Sequence, residues 1–419
     1  MVFLHVYSKH RIGQGATQIS LPLSDFLLQI RLILAHNIWP MSDYFNLTDF
    51  LTPVNLAELS DDQLYQDGQV GKSIAVYETD FPEIFDADII LVGCGEQRGA
   101  GKNNNQPITA ADAVRRQFYQ LFYWHTDLKL ADIGNIKNGA SLQDSYAAVK
   151  TVLSELLNEK KTIILIGGSH DLTLPQYEAY VQKKQVIEVS CVDALIDLNI
   201  NSALRSDNFL MELLTSEPNF VRHYNHIGFQ SFYVHPNMLE TMDKLRFDCY
   251  RVGNVKESMD EMEPVIRNCQ MLSFDISAIA HAYAPANSVS PNGFNGEESC
   301  MLLRYAGLSP NTSSVGIYGF DPSKDKDNLT AKQISHMIWY LLDGRSRGRR
   351  EAKLEEKESF NEFYMAFAEV QTVFLQSKKT GRWWMQLPDK KFIACSYKDY
   401  LLASSNEIPE RWLRAQERS

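Results

Sequence analysis

The chain has 419 residues, and 41 lysines and arginines against 52 aspartates and glutamates give it a formal net charge of −11. That acidity argues against a nucleic-acid-binding protein, because a surface that neutralises phosphates needs clustered positive charge. Hydrophobic residues make up 44% of the chain and charged residues 22%, which is typical of a globular protein with a large core. We expect no secretory leader, and the most apolar stretch, 26–39, predicts a buried amphipathic helix, not a membrane span, because polar residues interrupt it.

Short β-branched runs alternate with helical patterns through the middle of the chain. The predicted strands are 88–93, 162–166, 186–192, 226–230, 271–275 and 314–320. The predicted helices are 110–124, 141–159 and 330–342, the last of them stopped by Asp343-Gly344. This alternation is typical of an α/β protein with a mostly parallel sheet between two layers of helices. We therefore predict a three-layer α/β/α domain over residues 88–343, with residues 1–87 as an N-terminal extension packed on its core.

The composition changes abruptly after Gly344. A run with four arginines, 345–350, reads as a solvated linker, with an anion-binding patch as the alternative. Farther on, 370–376 and 382–387 flank a Lys-Lys-Thr-Gly turn and predict a hairpin. Its two tryptophans either pack the hairpin on the main domain, which we favour, or form an interaction surface. Residues 344–419 are thus predicted to be a linker followed by an aromatic-rich α+β appendage.

The spacing of cysteines and glycines argues against two familiar kinds of site. Six cysteines are scattered without a Cys-x-x-Cys pair, which predicts reduced, buried thiols of a cytoplasmic protein and no zinc cluster. The run Gly93-Cys-Gly95-Glu-Gln-Arg-Gly99 superficially resembles a dinucleotide-binding turn. Its third glycine comes one residue late and no helix follows directly, so we do not expect nucleotide binding.

Metal-type side chains follow three of the predicted strands. His170 and Asp171 come after 162–166, the segment Asp193-Ala-Leu-Ile-Asp197 comes after the next strand, and Asp275 ends 271–275. Ligands of parallel α/β sheets bind at the carboxyl ends of the strands, so these side chains are expected to meet. One imidazole and three carboxylates suit a hard or borderline ion such as Mn²⁺.

In this order and spacing, the segments resemble the ureohydrolase family of arginase, agmatinase and formimidoylglutamase. Residues 167–170 match its Gly-Gly-x-His turn, 193–197 its Asp-Ala-His-x-Asp motif, and 273–277 its Ser-x-Asp-x-Asp motif. Additional matching segments are 95–99, 110–116, 290–293 and 320–322. The match covers roughly residues 88–343 and is closest to the formimidoylglutamase branch. It implies an arginase-like fold, a homo-oligomer, and a pair of Mn²⁺ ions whose bridging hydroxide attacks a guanidinium or formimino carbon.

The motifs depart from the family pattern at one of the two ions. The resemblance assigns a complete ligand set to one ion, namely His170, Asp193, Asp197 and Asp275. The second ion loses both of its private ligands, because the motif histidine is Leu195 and the second motif aspartate is Ser277. The family glutamate that pairs with the cationic substrate falls at Gly319.

Four residues are candidates to compensate for these losses. Glu297 and Glu298 are candidate substrate-binding carboxylates, and Asp171 and His281 are candidate proton shuttles, with His281 also a possible ligand of the second ion. We expect at most one Mn²⁺ per chain. Two functions stay open: a non-catalytic protein that binds a small amidine-type ligand or a protein partner, and a single-metal hydrolase of linear amidine C–N bonds. Neither nucleic acid nor a membrane is expected as a partner.

Overall fold

The computed structural model describes residues 47–59, 65–158, 161–367 and 370–418. The chain divides into two compact units, Met1–Asp49 and Phe50–Ser419, and the second contains every strand described below. The helix predicted over 26–39 lies outside the described residues. Among the described helices, none combines the length and apolar character that a bilayer span requires.

The strands are β1 (Leu51–Thr52), β2 (Ala75–Val76), β3 (Ile89–Cys94), β4 (Leu130–Ile136), β5 (Thr162–Ile166), β6 (Ile187–Val192), β7 (Val221–Phe229), β8 (Asp248–Arg251), β9 (Met271–Asp275), β10 (Ser314–Tyr318), β11 (Phe360–Phe367), β12 (Val370–Ser377), β13 (Trp383–Gln386) and β14 (Phe392–Cys395). The helices are α1 (Leu47–Phe50), α2 (Leu56–Leu59), α3 (Val70–Ser73), α4 (Ala110–Phe118), α5 (Leu142–Asn158), α6 (Thr173–Gln182), α7 (Phe209–Thr215), α8 (Pro236–Lys244), α9 (Val252–Glu257), α10 (Met262–Arg267), α11 (Gly296–Leu308), α12 (Leu329–Gly348), α13 (Tyr397–Ser404) and α14 (Glu410–Glu417).

Ten strands of the described chain form one sheet in the order β1-β4-β3-β5-β10-β9-β6-β7-β8, with β2 also paired to β4. All pairings are parallel except that of β1 with β4. Strands β5, β9 and β10 are buried along their whole length, as expected for a parallel sheet covered on both faces. The predicted α/β class, a mostly parallel sheet with flanking helices, is confirmed. Because β5, β10, β9 and β6 are neighbours, their carboxyl ends lie side by side at one edge of the sheet.

The predicted helix stop at Asp343-Gly344 is wrong, because helix α12 continues to Gly348. Gly344 lies where α12 contacts α11, and an added Cβ there would be 2.2 Å from the carbonyl oxygen of Arg304. The glycine therefore permits close helix packing and does not end the helix. The arginine run does not form a linker either, because it continues α12 as far as Gly348. Arg345 donates to the Ser309 carbonyl and Arg349 pairs with Asp88, although three of the four arginines are exposed.

Helix α4 ends at Phe118, six residues before the predicted end. The backbone that follows pairs with an earlier loop: Val70 N donates to Leu121 O, and Tyr123 N donates to Gly68 O, at 2.9 and 2.7 Å. Tertiary hydrogen bonding thus overrides the helical spacing of the apolar residues.

Strands β11–β14 form a separate antiparallel sheet at the end of the chain. It contains the predicted hairpin, with Gln376 opposite Trp383 and Gly381 in the turn at φ +73°. The Arg267 guanidinium of α10 lies over the Trp384 ring at 4.5 Å and donates to the Trp383 carbonyl at 2.9 Å. The hairpin tryptophans therefore contact the α/β part of the chain, as the favoured interpretation predicted.

All six cysteines are free thiols, and five of them are buried. Burial raises the pKa of Cys94 to about 12, which keeps this thiol protonated. The predicted burial of the thiols thus holds for five of the six, with Cys249 only partly buried.

Candidate metal centre

A packed loop holds His170 in place after β5. Ser169 N donates to Glu96 O at 2.9 Å, and the Glu96 side chain pairs with Arg98 at 2.6 Å. An added Cβ at Gly168 would be 1.8 Å from the Glu96 carbonyl oxygen, so only glycine fits there. The loop after β3, considered above as a nucleotide-binding turn, is thus a support for the histidine loop.

Oxygen atoms from three aspartates surround one ring nitrogen of His170. Its Nδ1 lies 2.8 Å from Asp197 Oδ2, 3.1 Å from Asp193 Oδ2 and 3.9 Å from Asp275 Oδ2. All four residues are at most 9% exposed. On the far side of the ring, Nε2 lies 3.0 Å from Ser273 Oγ, which orients the imidazole. The structure thus brings the four predicted ligands together in one buried cluster.

Burial and crowding shift the pKa values of this cluster. Burial lowers the pKa of His170, but the neighbouring Asp193 and Asp197 outweigh it and leave that pKa well above the usual value. Burial and the Asp193 charge raise the pKa of Asp197, and burial raises that of Asp275 to about 6. Without a metal ion, His170, Asp197 and Asp275 therefore hold protons more tightly than free side chains do, whereas the His170 charge outweighs burial and lowers the pKa of Asp193.

The donor set fits one divalent ion. Ligand atoms of His170, Asp193 and Asp197 lie within 4.8 Å of one another, and Asp275 Oδ2 lies 3.9 Å from His170 Nδ1. A single cation in place of the protons would offset the crowded negative charge. One imidazole and three carboxylates are a suitable set for Mn²⁺.

The other oxygens of the same aspartates face hydrogen-bond donors of the protein. Asp193 Oδ1 accepts from the Ser277 hydroxyl and from Leu195 N, the latter at 3.1 Å. Asp275 Oδ1 accepts from Ser277 N at 2.7 Å. The Leu195 side chain borders the cavity where the resemblance would place an imidazole. The oxygens that remain for a neighbouring ion are thus satisfied by the chain itself.

Gly319 follows β10 with φ +79°, and an added Cβ would be 2.4 Å from Asp275 Oδ2. A side chain there would have to adopt a strained backbone conformation and displace a ligand of the cluster. The position of the family glutamate is therefore closed to any side chain.

The cluster opens onto a cavity of about 170 Å³. Its other lining residues are Gln97, Ala100, Lys102, Ser169, Leu195, Ser206, Asp207, Ile276, Ser277, Ala286, Asn287, Ser288, Val289, Gly319 and Lys324. The two lysines lie on loops where no sequence pattern indicated a site. The available signal for these lysines was that they follow β3 and β10, at the carboxyl edge of the sheet where ligands bind.

The candidate proton shuttles are not among these lining residues. Asp171 is fully buried and accepts a hydrogen bond from the Tyr146 hydroxyl, and burial raises its pKa. His281 is exposed, and its Nδ1 lies 2.8 Å from the Asn287 carbonyl oxygen. The structure therefore does not bring either residue to the cluster.

The candidate substrate carboxylates also lie outside the cavity lining. Glu298 caps α11 in a reciprocal pair with Asn295 and forms an ion pair with Lys256 at 2.7 Å. Glu297 is exposed on the first turn of the same helix. Glu298 thus has a helix-capping role that accounts for its position.

The chain belongs to the arginase family, whose model matches residues 87–343. It is 23% identical over 288 residues to the formimidoylglutamase of Lysinibacillus sphaericus. This alignment covers 65% of this chain and 88% of that protein. This result confirms the ureohydrolase resemblance and its formimidoylglutamase branch.

Two solved structures show the same fold. A Trypanosoma cruzi formiminoglutamase with Mn²⁺ has a TM-score of 0.57 at 17% identity, covering 70% of this chain and 99% of its own. The formimidoylglutamase of Bacillus subtilis has a TM-score of 0.58 at 17% identity, with coverage of 68% and 95%.

Proposed function

We propose that this formimidoylglutamase-like protein binds one Mn²⁺ and acts by binding, without hydrolysing amidines. One observation carries the proposal: Ser277 donates from its hydroxyl to Asp193 Oδ1 and from its backbone N–H to Asp275 Oδ1. These bonds use the carboxylate oxygens that a second ion would need. The Oδ2 atoms of the same residues, with His170, remain as a set for one ion.

Among the described residues that line the cavity, the groups that hydrolysis would use are missing or already hydrogen-bonded. A bound ion would lower the pKa of one coordinated water, but a base is needed to move its proton. The lining carboxylate outside the cluster, Asp207, accepts hydrogen bonds from Ser202 and Ser206 at 2.7 and 3.0 Å. Position 319 offers no carboxylate to a cationic amidine. The described lining residues thus provide neither a carboxylate at position 319 to pair with a cationic amidine nor a base free of hydrogen bonds to accept a proton from bound water.

One observation favours a second function, a single-metal hydrolase of linear amidine C–N bonds. All four candidate ligands line the cavity, so an ion bound by them could polarise a substrate or water. This function needs a base among the lining residues, and Asp207 is the carboxylate available.

Metal content and turnover, measured on the same sample, separate the two functions. The full chain, loaded with Mn²⁺, is assayed for formamide or urea release from formimidoylglutamate, agmatine and arginine, with His170→Ala as the background control. We expect no more than one ion per chain and no release above that control. If the wild-type chain binds one ion and releases formamide or urea, and His170→Ala does not, the single-metal hydrolase would be established. Two ions with release would contradict the loss of the second site.

A further inference from the structure

Apolar side chains border the cavity mouth and remain exposed. They are Leu204, Phe232, Tyr233 and Val289, with exposed fractions of 40%, 67%, 39% and 41%. They come from the loops that follow β6, β7 and β9, at the carboxyl edge of the sheet. Single exposed apolar residues are ordinary on protein surfaces, whereas a group around a cavity marks a binding surface.

Specific contacts join this rim to the cavity. Val289 lines the cavity, and its carbonyl accepts a hydrogen bond from the Tyr233 hydroxyl at 2.8 Å. The Tyr233 ring packs edge-on against Phe232 at 4.7 Å. In another loop, Leu204 lies against Gly101, where an added Cβ would be 2.9 Å from Leu204 Cδ2. Both chain neighbours of Gly101 line the cavity, so the rim and the cavity are continuous.

Two lysines line the cavity, beside Asp207 and the three aspartates of the cluster. Lys324 Nζ lies 3.5 Å from Ser288 Oγ, and Lys324 forms no ion pair with the residues that the structure describes. Lys102 pairs with the buried Asp321 at 3.1 Å, and Asp321 is itself held by Gln106 at 3.0 Å. Asp321 thus positions the Lys102 ammonium, which keeps further N–H donors available.

We propose that the mouth binds an acidic peptide segment of a protein partner. An aspartate or glutamate side chain of the peptide enters at Lys102 and Lys324, and its apolar neighbours cover Leu204, Phe232 and Val289. A small acid inside the cavity would leave this rim in water, whereas a peptide covers it. The inference rests on the proposed binding function and names the partner of that same site.

The test selects ligands from a random peptide library on the full-length, Mn²⁺-loaded protein. We expect enriched peptides to share an acidic residue with apolar neighbours. For one such synthetic peptide, fluorescence anisotropy should show about tenfold weaker binding when its acidic residue becomes the amide, because one partner of a charge pair is removed. Lys324→Ala should weaken the acidic peptide to a similar degree and leave the amide peptide unchanged, which a double-mutant cycle reports.

Matched surface variants locate the peptide. Phe232→Ser should weaken binding, whereas Trp124→Ser should not, because Trp124 is 75% exposed and is not among the cavity-lining residues. Peptides without an acidic motif, or binding indifferent to Lys324→Ala, would overturn the proposal. The proposal would also be overturned if no peptide is selected but glutarate binds and that binding is lost in Lys324→Ala. Ion content and turnover of the same samples test the proposed function independently, since a one-ion, inactive protein that binds no acidic peptide contradicts this inference alone.

Discussion

The two carboxylate oxygens of Asp193 face different surroundings, and so do those of Asp275. Their Oδ2 atoms lie 3.1 and 3.9 Å from His170 Nδ1, in the half of the site that holds the candidate ligands. Their Oδ1 atoms accept hydrogen bonds from Ser277, in the half where Leu195 replaces an imidazole. The same strand ends position both halves, so two side chains, not the fold, distinguish them.

Under the proposed function, the hydrogen bonds of Ser277 take the place of the second ion and leave neither Asp193 nor Asp275 unsatisfied. An unpaired buried carboxylate is strongly destabilising, and a hydroxyl and two backbone N–H groups now supply the donors. The remaining half keeps its crowded oxygens and therefore still favours a cation. We expect variants of the two halves to behave in opposite ways.

Removing a ligand of the intact half should have the largest effect. Asp193→Asn should weaken Mn²⁺ affinity beyond the roughly 10–100-fold that loss of an outer-shell partner costs, because a charged ligand is lost directly. Isothermal titration checks this, with Asp207→Asn as the control, since Asp207 lines the cavity outside the cluster. Equal affinity of both variants and wild type would place the ion elsewhere.

Rebuilding the other half should add a second ion. Leu195→His with Ser277→Asp returns an imidazole and a carboxylate and removes the hydroxyl that donates to Asp193. Equilibrium dialysis should then show a weaker second Mn²⁺ per chain. The size-matched pair Leu195→Phe with Ser277→Asn should stay at one. If the first double variant also stays at one, positions 195 and 277 do not explain the loss.

Alanine variants of two glycines with similar backbone conformations distinguish backbone strain from damage to the candidate metal site. Gly319 has φ +79° and Gly381 has φ +73°, but an added Cβ meets Asp275 Oδ2 only at Gly319, and nothing lies within 4 Å at Gly381. Each alanine variant should lower the free energy of unfolding in urea by about 1–3 kcal/mol. Only Gly319→Ala should also weaken Mn²⁺ binding. Equal metal affinity in both variants would mean that Asp275 is not a ligand.

Mn²⁺ affinity should rise with pH, the smallest of these effects. The raised pKa values of His170 and Asp197, and that of Asp275 at about 6, mean that the ion-free cluster holds protons that Mn²⁺ must displace. Titrations between about pH 5 and about pH 8 should show proton release and rising affinity. Asp275→Asn should flatten the slope near its pKa. Affinity that is flat or falls with pH would contradict this account.

Much of the central sheet could be predicted, because its buried parallel strands are continuous apolar runs. Strand β4 could not, since its sequence contains Asp132 and Gly134. Asp132 is buried because the Arg115 guanidinium donates to both its oxygens at 2.8 Å, a pairing across 17 residues that no local pattern shows. Strand β8 is a short edge strand with half-exposed residues, so it has no clear apolar run.

The meeting of His170 with the three aspartates could be predicted because the carboxyl ends of neighbouring parallel strands lie at one edge of the sheet. The hydrogen bonds of Ser277 and the closed space at Gly319 could not, since they depend on atoms from neighbouring strands. The predictions for Asp171, His281, Glu297 and Glu298 rest on residue type near a motif. Residue type does not reveal that Tyr146 and Lys256 engage two of them.

Anomalous diffraction from crystals grown with Mn²⁺ tests the central claim most directly. The account predicts one manganese peak per chain, bordered by His170 Nδ1 and the Oδ2 atoms of the three aspartates, with the Ser277 hydroxyl still on Asp193 Oδ1. Two peaks roughly 3.5–4 Å apart, the separation of two-metal hydrolase sites, would contradict it.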